Sequence, residues 1–252
     1  MIVRRKVEPG RIMLNAKAPE GIRIYAVGDI HGRADLLDRL AQRIGADLAA
    51  SPVKEAMTVF VGDYVDRGVD SRGVLERLAR AEFPTRIVAL RGNHEEAMLR
   101  FLDDATALPQ WVMFGGLMTL VSYGVDPGAQ MRRGGAQAVQ AAFLAHFPES
   151  HRRFLEATAY CAEYGDYFFC HAGVRPHVPL EQQDPGDLMW IRYEFLEYKG
   201  DFGKVVVHGH TPHTKAENLA NRINVDTHAF RSGVLTAVAL EGEERRFIDT
   251  AH

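Results

Sequence analysis

The amino-acid sequence predicts an α/β fold in which helices flank β-sheet, and two patterns predict it. Five short apolar runs, each bounded by turn residues, are typical of buried central strands. They cover residues 22–27, 58–61, 86–90, 167–170 and 204–207. Between the first three runs, over 36–48 and 74–79, leucine and other apolar residues recur at helical spacing. Alternating strands and helices indicate layers of helix packed on sheet.

The rest of the chain is predicted to be a helical segment followed by more strands. Residues 95–160 are mostly helical in pattern, with a break rich in glycine and proline at 123–135, and we expect this segment to be an insertion packed beside the sheet. Strands return at 223–225, 234–240 and 246–248. The chain of 252 residues shows no internal repeat and no linker, so we expect one domain over residues 1–252.

Composition argues against several classes of protein. The chain is 46% hydrophobic and 25% charged, as ordinary globular proteins are, and its formal net charge of -3 predicts no nucleic-acid or anionic-membrane partner. The uncharged stretch 105–125 contains proline and several glycine and hydroxyl residues, which favours a buried helix or loop over a membrane span. Because the N-terminal residues contain no apolar run long enough for a signal peptide, the predicted location is cytoplasmic.

The cysteine and histidine content limits the kind of metal site that is possible. Two cysteines, Cys161 and Cys170, are too few for a disulfide framework or a thiolate zinc site. We expect Cys170 to be a small buried apolar residue and not a nucleophile. The chain has 11 histidines. A bound metal would therefore have imidazole and carboxylate ligands.

Side chains that can bind a metal follow every one of the five apolar runs. They occur in the sequences GDIHG (28–32), GDYVDRG (62–68) and RGNHE (91–95), and at His171 and His208. Any one of these features alone is more typical of a turn or of a hydrogen-bonded histidine. Because the carboxyl ends of the strands in an α/β sheet open onto one crevice, five in succession predict a metal site at that crevice.

These blocks, together with HAGV and HGHT, resemble the phosphoprotein phosphatase branch of the calcineurin-like metallophosphoesterases. The resemblance extends over residues 25–240 in the order and spacing of the family. It is greatest to the compact phage-lambda and bacterial protein phosphatases, because MWIR at 189–192, GHTPHTK at 209–215 and the segment 223–236 are similar to those enzymes. The resemblance implies a β-sandwich core flanked by helices, with a site for two divalent metal ions.

The resemblance also implies which residues bind the two ions. The implied ligands are Asp29, His31 and Asp63 for the first ion, and Asp63, Asn93, His171 and His208 for the second. Carboxylate, amide and imidazole ligands suit manganese, which we expect, with iron or zinc as alternatives. Two such ions lower the pKa of a bridging water, and the resulting hydroxide would attack phosphorus in line.

Catalytic and substrate-binding roles follow from the same resemblance. His94 occupies the position of the acid that protonates the leaving alkoxide, and Asp66 would orient its imidazole. Arg67 and Arg192 would bind phosphate oxygens, for which a planar guanidinium has matching geometry. For Arg91 two interpretations remain open, an additional phosphate contact and a structural ion pair.

Other prominent side chains are expected to be structural. Trp111 and Trp190 are predicted to be packing residues and not platforms for substrate. Nothing requires His210, His213 or His228 as metal ligands, although they lie close to the site in sequence. His228 departs from similar sequences, which often have a small residue after the Asp-Thr pair.

The predicted function is hydrolysis of phosphomonoesters, with a phosphorylated serine or threonine of a protein as the leading substrate and a small phosphoester as another. The alternative is a symmetrical diadenosine-tetraphosphate hydrolase, whose members typically have alanine at the position of Asp66, GNHD in place of GNHE, and GHW in the last block. Asp66, Glu95 and Thr211 stand at those positions here, which favours the protein phosphatase. A catalytically inactive scaffold is disfavoured because every ligand position is filled, and net acidity disfavours a nucleic-acid phosphodiesterase.

Overall fold

The computed structural model describes residues 15–251, which form two five-stranded β-sheets and the helices around them. The strands are β1 (Ile22–Val27), β2 (Glu55–Phe60), β3 (Arg86–Ala89), β4 (Cys161–Tyr164), β5 (Tyr167–Cys170), β6 (Val205–His208), β7 (Glu217–Asn218), β8 (Arg222–Asn224), β9 (Thr236–Glu241) and β10 (Glu244–Asp249). Of the N-terminal residues on which the absence of a signal peptide was predicted, residues 1–14 lie outside the described range.

Ten α-helices are present between residues 15 and 251. They are α1 (Ala34–Ala50), α2 (Ser71–Ala79), α3 (Asn93–Asp103), α4 (Leu108–Met113), α5 (Gly116–Ser122), α6 (Pro127–Leu144), α7 (Glu149–Glu156), α8 (Pro185–Trp190), α9 (Tyr193–Leu196) and α10 (Ala229–Ser232). In this described part of the chain, no helix is both long enough and apolar enough to span a bilayer.

Parallel strands in both sheets place the predicted motifs at one edge of the molecule. The first sheet has the order β10-β9-β1-β2-β3, and the second has the order β4-β5-β6-β8-β7. Strands β1, β2 and β3 are parallel to one another, as are β5, β6 and β8. The loops after β1, β2 and β3 therefore leave from one edge of their sheet, and those after β5 and β6 do the same in theirs.

Strands β1, β5 and β6 are buried on both faces, which explains why their sequences are continuous apolar runs. Along β1, Ile24 and Ala26 face the second sheet, whereas Tyr25 and Val27 face the helices. Alternate residues of one strand thus belong to two different apolar clusters. The layer between the sheets is a β-sandwich core, so the predicted α/β fold with a helix-flanked sandwich is confirmed.

The outer face of the second sheet is covered by α8 and α9. Phe168 and Val206 on the strands pack there against Leu188 and Phe195 from these two helices. Cys170, which is fully buried, belongs to the same cluster, as predicted for a small apolar residue.

Helices α3 to α7 occupy the chain between β3 and β4, and the predicted break at 123–135 is too long. Helix α6 begins within it at Pro127, after Asp126 caps the helix by accepting a hydrogen bond from the backbone N–H of Ala129 at 2.9 Å. The interruption is confined to Gly134 and Gly135, the second of which has a φ of 68°. Because Pro127 begins the helix and two glycines interrupt it, the sequence pattern predicts one long break over this region.

A buried polar chain connects the helices of this region. The hydroxyl of Tyr123 lies 2.7 Å from Nδ1 of His151, and Nε2 of His151 lies 2.9 Å from a carboxylate oxygen of Glu76. The His151 side chain is completely buried. Because Glu76 is on α2 and His151 is on α7, the chain connects a helix that packs on the first sheet to the helical segment.

Candidate metal centre

The loops after five strands meet at the predicted crevice, and several of their residues adopt left-handed backbone conformations. Non-glycine residues with positive φ include His31 (44°), Asp63 (54°), Asp66 (71°), Arg67 (66°) and His210 (64°). Each such residue costs of order 1–3 kcal/mol, and clusters of them are typical of functional sites. The packing between loops is also very close, because a Cβ atom on Gly209 would lie 2.1 Å from Oδ1 of Asp29.

Asp63 lies at the centre of the site. Its Oδ2 is 3.5 Å from Nε2 of His31 and 3.7 Å from Nε2 of His94, while its Oδ1 is 3.3 Å from Nε2 of His171. Two groups of potential metal ligands share it: Asp63 with His31 and His94, and Asp63 with His171 and His210. All five side chains are buried. The two oxygens of one carboxylate thus face two separate clusters.

Backbone carbonyls orient the histidines of both groups. Nδ1 of His31 donates to the carbonyl of Val65 at 2.9 Å, and Nδ1 of His171 donates to the carbonyl of Val61 at 3.1 Å. The proton on Nδ1 leaves Nε2 of each ring unprotonated and directed at Asp63, as metal-binding histidines require. Such a carbonyl contact fixes both the tautomer and the orientation of the ring.

The second group corrects the sequence prediction, because the structure brings His210 to it and not His208. Nδ1 of His210 lies 3.1 Å from Nε2 of His171 and 3.0 Å from Oδ1 of Asn93. His208 instead bonds to the carbonyl of Gly209 through Nδ1, and its ring packs edge-on against Phe195 at 4.9 Å. Strand β6 ends at His208, and His210 follows it in a left-handed backbone conformation, with φ 64°.

Asp29 lies beside the two groups and adds a carboxylate to them. Its oxygens accept a hydrogen bond from the backbone N–H of His210, at 3.1 Å for Oδ2. Burial and the nearby charge of Asp226 raise the pKa of Asp29 well above its ordinary value. Burial also raises the pKa of Asp226 to about 6, and this second carboxylate was not among the predicted site residues. In the sequence Asp226 stands beside Thr227, three residues after the start of a predicted strand at 223–225, and this position alone did not indicate a site residue.

His94 and Asp66 form a buried pair next to Asp63. Nδ1 of His94 donates to Oδ2 of Asp66 at 2.8 Å. Burial disfavours protonation of the imidazole, but the charges of Asp63 and Asp66 outweigh it and raise the pKa of His94. The geometry is that of a carboxylate orienting a proton-transferring histidine.

Two residues of the helical segment hold Asp66 in place. Nε1 of Trp111 donates to Oδ2 of Asp66 at 3.0 Å, and Oγ1 of Thr119 donates to Oδ1 at 2.6 Å. Trp111 also stacks on Phe101 with ring centroids 4.8 Å apart, so the prediction that it is a packing residue describes only part of its contacts. Thr119 was missed, and an uncharged hydroxyl in an apolar stretch gives little signal by itself.

Glu95 ties the start of α3 to the loop after β2. Its carboxylate accepts hydrogen bonds from the backbone N–H groups of Gly92 at 2.9 Å, Asp63 at 2.8 Å and Tyr64 at 2.7 Å. Burial, helped by the charge of Asp63, raises the pKa of Glu95 to about 7. Glu95 therefore fixes the loop that carries Asp63 to the start of α3, which carries Asn93 and His94.

Arg67 reaches the centre of the site, and Arg192 lies at its edge. The guanidinium of Arg67 is 3.1 Å from Nε2 of His31 and 3.0 Å from Nε2 of His94, and it lies over the ring of Phe230 at 5.3 Å. Arg192 is exposed at the start of α9. Burial, with the charges of His171 and Arg192, lowers the pKa of His210 to about 2.

Arg91 points away from the site, which contradicts its prediction as a phosphate contact. Its side chain donates to Oγ1 of Thr158 at 3.0 Å and to the carbonyls of Leu155 and Glu156, each at 3.1 Å. A carboxylate oxygen of Glu96 lies 3.3 Å away. The guanidinium joins the end of β3 to the end of α7, so the structural alternative left open for Arg91 is the one that the contacts support.

Aromatic side chains form the walls of the crevice. The ring of Phe114 lies 5.7 Å from that of His94 and 5.4 Å from that of Trp190, which is 41% exposed. On the other side, Phe230 packs edge-on against His228 at 4.7 Å. His228 itself has a left-handed backbone conformation, with φ 61°, which glycine adopts more readily than other residues.

A model of the calcineurin-like phosphoesterase family matches residues 22–238 of this sequence. The chain belongs to the calcineurin-like phosphoesterase family. It is therefore a phosphoester hydrolase of the phosphatase type, as the sequence predicts.

Two proteins of similar length match nearly the whole phosphoesterase chain. Serine/threonine-protein phosphatase 1 of Salmonella typhimurium is 27% identical over 243 residues, which cover 93% of this chain and 100% of that protein. An asymmetrical bis(5'-nucleosyl)-tetraphosphatase of Oceanobacillus iheyensis is 24% identical over 253 residues, which cover 91% of this chain and 92% of that protein. The family is thus clear, and the two names differ in substrate.

Solved structures share the fold of this phosphoesterase. A candidate diadenosine tetraphosphatase superposes with a TM-score of 0.63 and 19% identity, covering 92% of this chain and 95% of that one. A cold-active protein-tyrosine phosphatase of Shewanella superposes with a TM-score of 0.57 and 15% identity, covering 93% and 83%. At these identities the likeness supports the fold alone.

The side chains at the crevice suit the divalent metals that the family uses. Burial lowers the pKa of His31 as well as that of His210, so both rings are neutral and present lone pairs. Burial alone would raise the pKa of Asp63, but His171 and His94 outweigh it and hold the pKa well below its ordinary value. An ionised central carboxylate between neutral imidazoles is a suitable donor set for manganese, iron or zinc.

Proposed function

We propose that this phosphoesterase hydrolyses phosphomonoesters, with phosphoserine and phosphothreonine of proteins as its substrates. The observation that carries the proposal is the buried pair of His94 and Asp66. An alkoxide from serine or threonine is a strongly basic leaving group and needs a proton as it departs. The phosphate anion released from a nucleoside polyphosphate needs much less help, so a site for that substrate alone can dispense with Asp66.

Two divalent ions, manganese in our proposal and iron or zinc as alternatives, fit the crevice. Their proposed ligands are Asp29, His31 and Asp63 for the first, and Asp63, Asn93, His171 and His210 for the second. When bound, such ions polarise the phosphoryl group and activate a water for in-line attack. His210 replaces His208 in this set because Nδ1 of His210 faces Asn93 and His171.

The role of His94 in this proposal is proton transfer to the leaving oxygen. Asp66 accepts from Nδ1, so Nε2, which faces Arg67, would carry the transferable proton once Arg67 donates to phosphate oxygens instead. Trp111 and Thr119 donate to Asp66, so its oxygens are held in fixed positions around the imidazole. A proton donor fixed in this way loses little free energy to reorganisation when the leaving group departs.

Arg67 and Arg192 are the proposed phosphate-binding residues. The guanidinium of Arg67 lies within hydrogen-bonding distance of the rings of both His31 and His94. A phosphate group that accepts from Arg67 would therefore lie next to His94, as proton transfer requires. A planar guanidinium can bind two phosphate oxygens at once. Arg91 is left out of the proposed site, since three of its contacts are to the end of the helical segment.

Dinucleotide hydrolysis is the competing function, and the tetraphosphatase of Oceanobacillus iheyensis among the relatives favours it. The test is a comparison of kcat/KM on phosphoserine, phosphothreonine and phosphotyrosine peptides with kcat/KM on diadenosine tetraphosphate, all with added manganese. We expect the serine and threonine peptides to exceed the dinucleotide. Faster cleavage of the dinucleotide than of every phosphopeptide would overturn the assignment.

A variant series tests the residue on which the proposal depends. Asp66→Asn should lower kcat for alkyl phosphates by about 10²-fold, within the usual contribution of general acid catalysis. The loss should be smaller for an aryl phosphate, whose phenolate leaves more easily. Thr119→Val, which removes one of the hydrogen bonds to Asp66, is the matched weaker variant and should follow the same order. Equal losses on alkyl and aryl substrates would show that Asp66 serves another purpose.

A further inference from the structure

Cys161 and Cys170 lie directly opposite each other on the antiparallel strands β4 and β5. The strands are joined by a two-residue loop that begins at Gly165, whose φ of 59° is the left-handed conformation that tight hairpin loops need. In such a hairpin the pair next to the loop, Tyr164 and Tyr167, is hydrogen-bonded, and the pairs then alternate. Cys161 and Cys170, three pairs further on, therefore form a non-hydrogen-bonded pair.

This register places the two cysteines at the spacing of a disulfide. Non-hydrogen-bonded pairs hold their Cα atoms about 4.5 Å apart, and disulfides join Cα atoms about 4.4–6.8 Å apart. Opposite residues of two strands also point to the same face of a sheet. Cys170 belongs to the apolar cluster on the outer face of the second sheet, and Cys161 packs against that cluster. Both thiols are free in the structure.

The two thiols differ in how easily a solute can reach them. Cys161 is partly exposed, whereas Cys170 has 0% of its surface exposed. An accessible thiol beside a buried one is the arrangement in which the first is oxidised and the second resolves it. Burial raises the pKa of the Cys161 thiol, which makes its oxidation slow at neutral pH and faster in mildly alkaline solution.

We propose that Cys161 and Cys170 form an oxidation site that reacts with hydrogen peroxide and closes to a disulfide across the hairpin. In the first step the sulfur of Cys161 attacks one peroxide oxygen, the O–O bond breaks, and the other oxygen leaves as water with the thiol proton. The product is a sulfenic acid on Cys161. The sulfur of Cys170, although the sequence predicts no nucleophilic role for it, then attacks the sulfur of Cys161, the S–O bond breaks, and a second water leaves with the proton of Cys170. Two thiols are oxidised by two electrons, and one peroxide is reduced to two waters.

The consequence for the metal centre follows from chain connectivity. Cys170 directly precedes His171, whose Nε2 lies 3.0 Å from Oδ1 of Asn93 and 3.3 Å from Oδ1 of Asp63. A disulfide restrains the backbone immediately before this imidazole. The hydrogen bond from Nδ1 of His171 to the carbonyl of Val61 orients this ring, and loss of such a contact typically lowers metal affinity 10–100-fold. Because the restraint would disturb that contact without removing it, we expect the lower end of this range on oxidation, about a tenfold loss of manganese affinity. This consequence rests on the proposed metal site, whereas formation of the disulfide does not.

The experiment treats the purified full-length protein with hydrogen peroxide at mildly alkaline pH and measures its intact mass. We expect the loss of two hydrogen atoms, no remaining titratable thiol, and reversal by dithiothreitol. Cleavage by chymotrypsin at Tyr164 and Tyr167 should leave the two cysteine fragments joined. A gain of oxygen atoms with no link between the fragments, or a disulfide between two chains, would overturn the proposal.

Three variants test whether the oxidation is specific to Cys161 and Cys170. In Cys170→Ser, the Cys161 sulfenic acid should persist and react with dimedone, and in Cys161→Ser the buried Cys170 should remain reduced. The matched control moves the thiol by one residue, with Cys161→Ala and Ala162→Cys, because adjacent side chains of a strand face opposite sides. If that control forms the disulfide with Cys170 as readily as the wild type, the register argument is wrong.

Manganese titration calorimetry on the reduced and oxidised protein tests the connection to His171. We expect the affinity to fall about tenfold on oxidation, and the Cys161→Ser protein to show no change after the same treatment. A disulfide that forms with unchanged manganese affinity would refute the connection to His171. Absence of manganese binding by the reduced protein would refute the proposed metal site, while the mass measurement still decides whether the disulfide forms.

Discussion

At the start of β1, Arg23 is 2% exposed, and the carboxylates of Asp47 and Glu241 lie 3.0 and 2.6 Å from its guanidinium. Just beyond the end of the same strand, Asp29 is 3% exposed and lies near the carboxylates of Asp63 and Asp226. One end of the strand thus buries a cation with its counter-charges supplied by the chain. The other end buries several anions together, next to His31 and His210, whose pKa burial lowers.

Burying like charges together is unfavourable unless something compensates them. At the Arg23 end the compensation is present in the sequence, so the arrangement is a structural one. At the Asp29 end, Arg67, His94 and His171 oppose the negative charge only in part, because burial and the neighbouring carboxylates still raise the pKa of Asp29 well above its ordinary value. The difference supports the proposal that the Arg23 end serves the fold and that the Asp29 end binds a ligand that brings positive charge with it.

The largest expected effect comes from removing the charge of Asp63. Asn is nearly isosteric with Asp, so Asp63→Asn should keep the fold while removing the carboxylate that faces both groups of histidines. Because metal ions contribute several kcal/mol to such reactions, kcat/KM with added manganese should fall about 10³-fold or more. The stabilisation of the wild type by manganese, about 2.7 kcal/mol at one hundred times Kd, should also disappear, as thermal unfolding with and without the metal would show.

Glu241→Gln, at the opposite end of the sheet, is the matched control for Asp63→Asn, because it also neutralises one carboxylate that faces β1. It should leave manganese stabilisation and turnover unchanged. The comparison between the two ends fails if Asp63→Asn retains manganese-dependent turnover, or if a chelator-stripped wild-type protein turns over fully without added metal.

A smaller effect distinguishes His210 from His208. His210→Asn should lower manganese affinity by about 100-fold, because its Nδ1 lies among the ligand atoms of the second group. His208→Gln should lower thermal stability, since the ring packs against Phe195, but should leave manganese affinity near that of the wild type. Calorimetric titration of both variants measures the difference, and the opposite order would restore His208 as the ligand.

This pair also shows how far sequence reasoning extends. Buried parallel strands give continuous apolar runs, so the bounds of β1 and β5 and the convergence of their loops could be predicted. The choice between His208 and His210 depends on which ring reaches Asn93 and His171 beyond the end of β6, and the apolar run that predicts the strand does not specify it. Thr119 lies 53 residues from its partner Asp66, so no local pattern could connect them.

At the Arg23 end the expected effect is on stability and not on chemistry. Arg23→Met leaves two carboxylates without their main counter-charge, and since both are partly exposed we expect a loss of roughly 2 kcal/mol in the free energy of unfolding. Turnover of the folded protein should be unchanged. The matched control is Arg246→Gln, which removes a 46% exposed partner of Asp47 and should cost less than about 1 kcal/mol. Urea denaturation measures both, and equal losses would mean that burial of Arg23 adds nothing.

The smallest expected effect concerns a third buried group, His151, which lies in neither end of the sheet. Burial lowers the pKa of His151, although the charge of Glu76 opposes the shift. In the unfolded chain the pKa of histidine is about 6.5, so below that pH the unfolded state binds a proton that the folded state resists. The contribution of the neutral ring to stability is therefore complete above about pH 6.5 and is lost as the pH falls towards the lower folded-state pKa.

The variant His151→Gln has no titrating group at this position. The groups at the metal centre titrate equally in both proteins and cancel in the comparison. Between about pH 8 and about pH 5.5, the urea midpoint of the wild type should fall further than that of the variant. If the urea midpoints of the two proteins fall by the same amount, the charge of Glu76 fully offsets the effect of burial on the pKa of His151. His151 would then resemble Arg23, whose buried charge is compensated by neighbouring carboxylates.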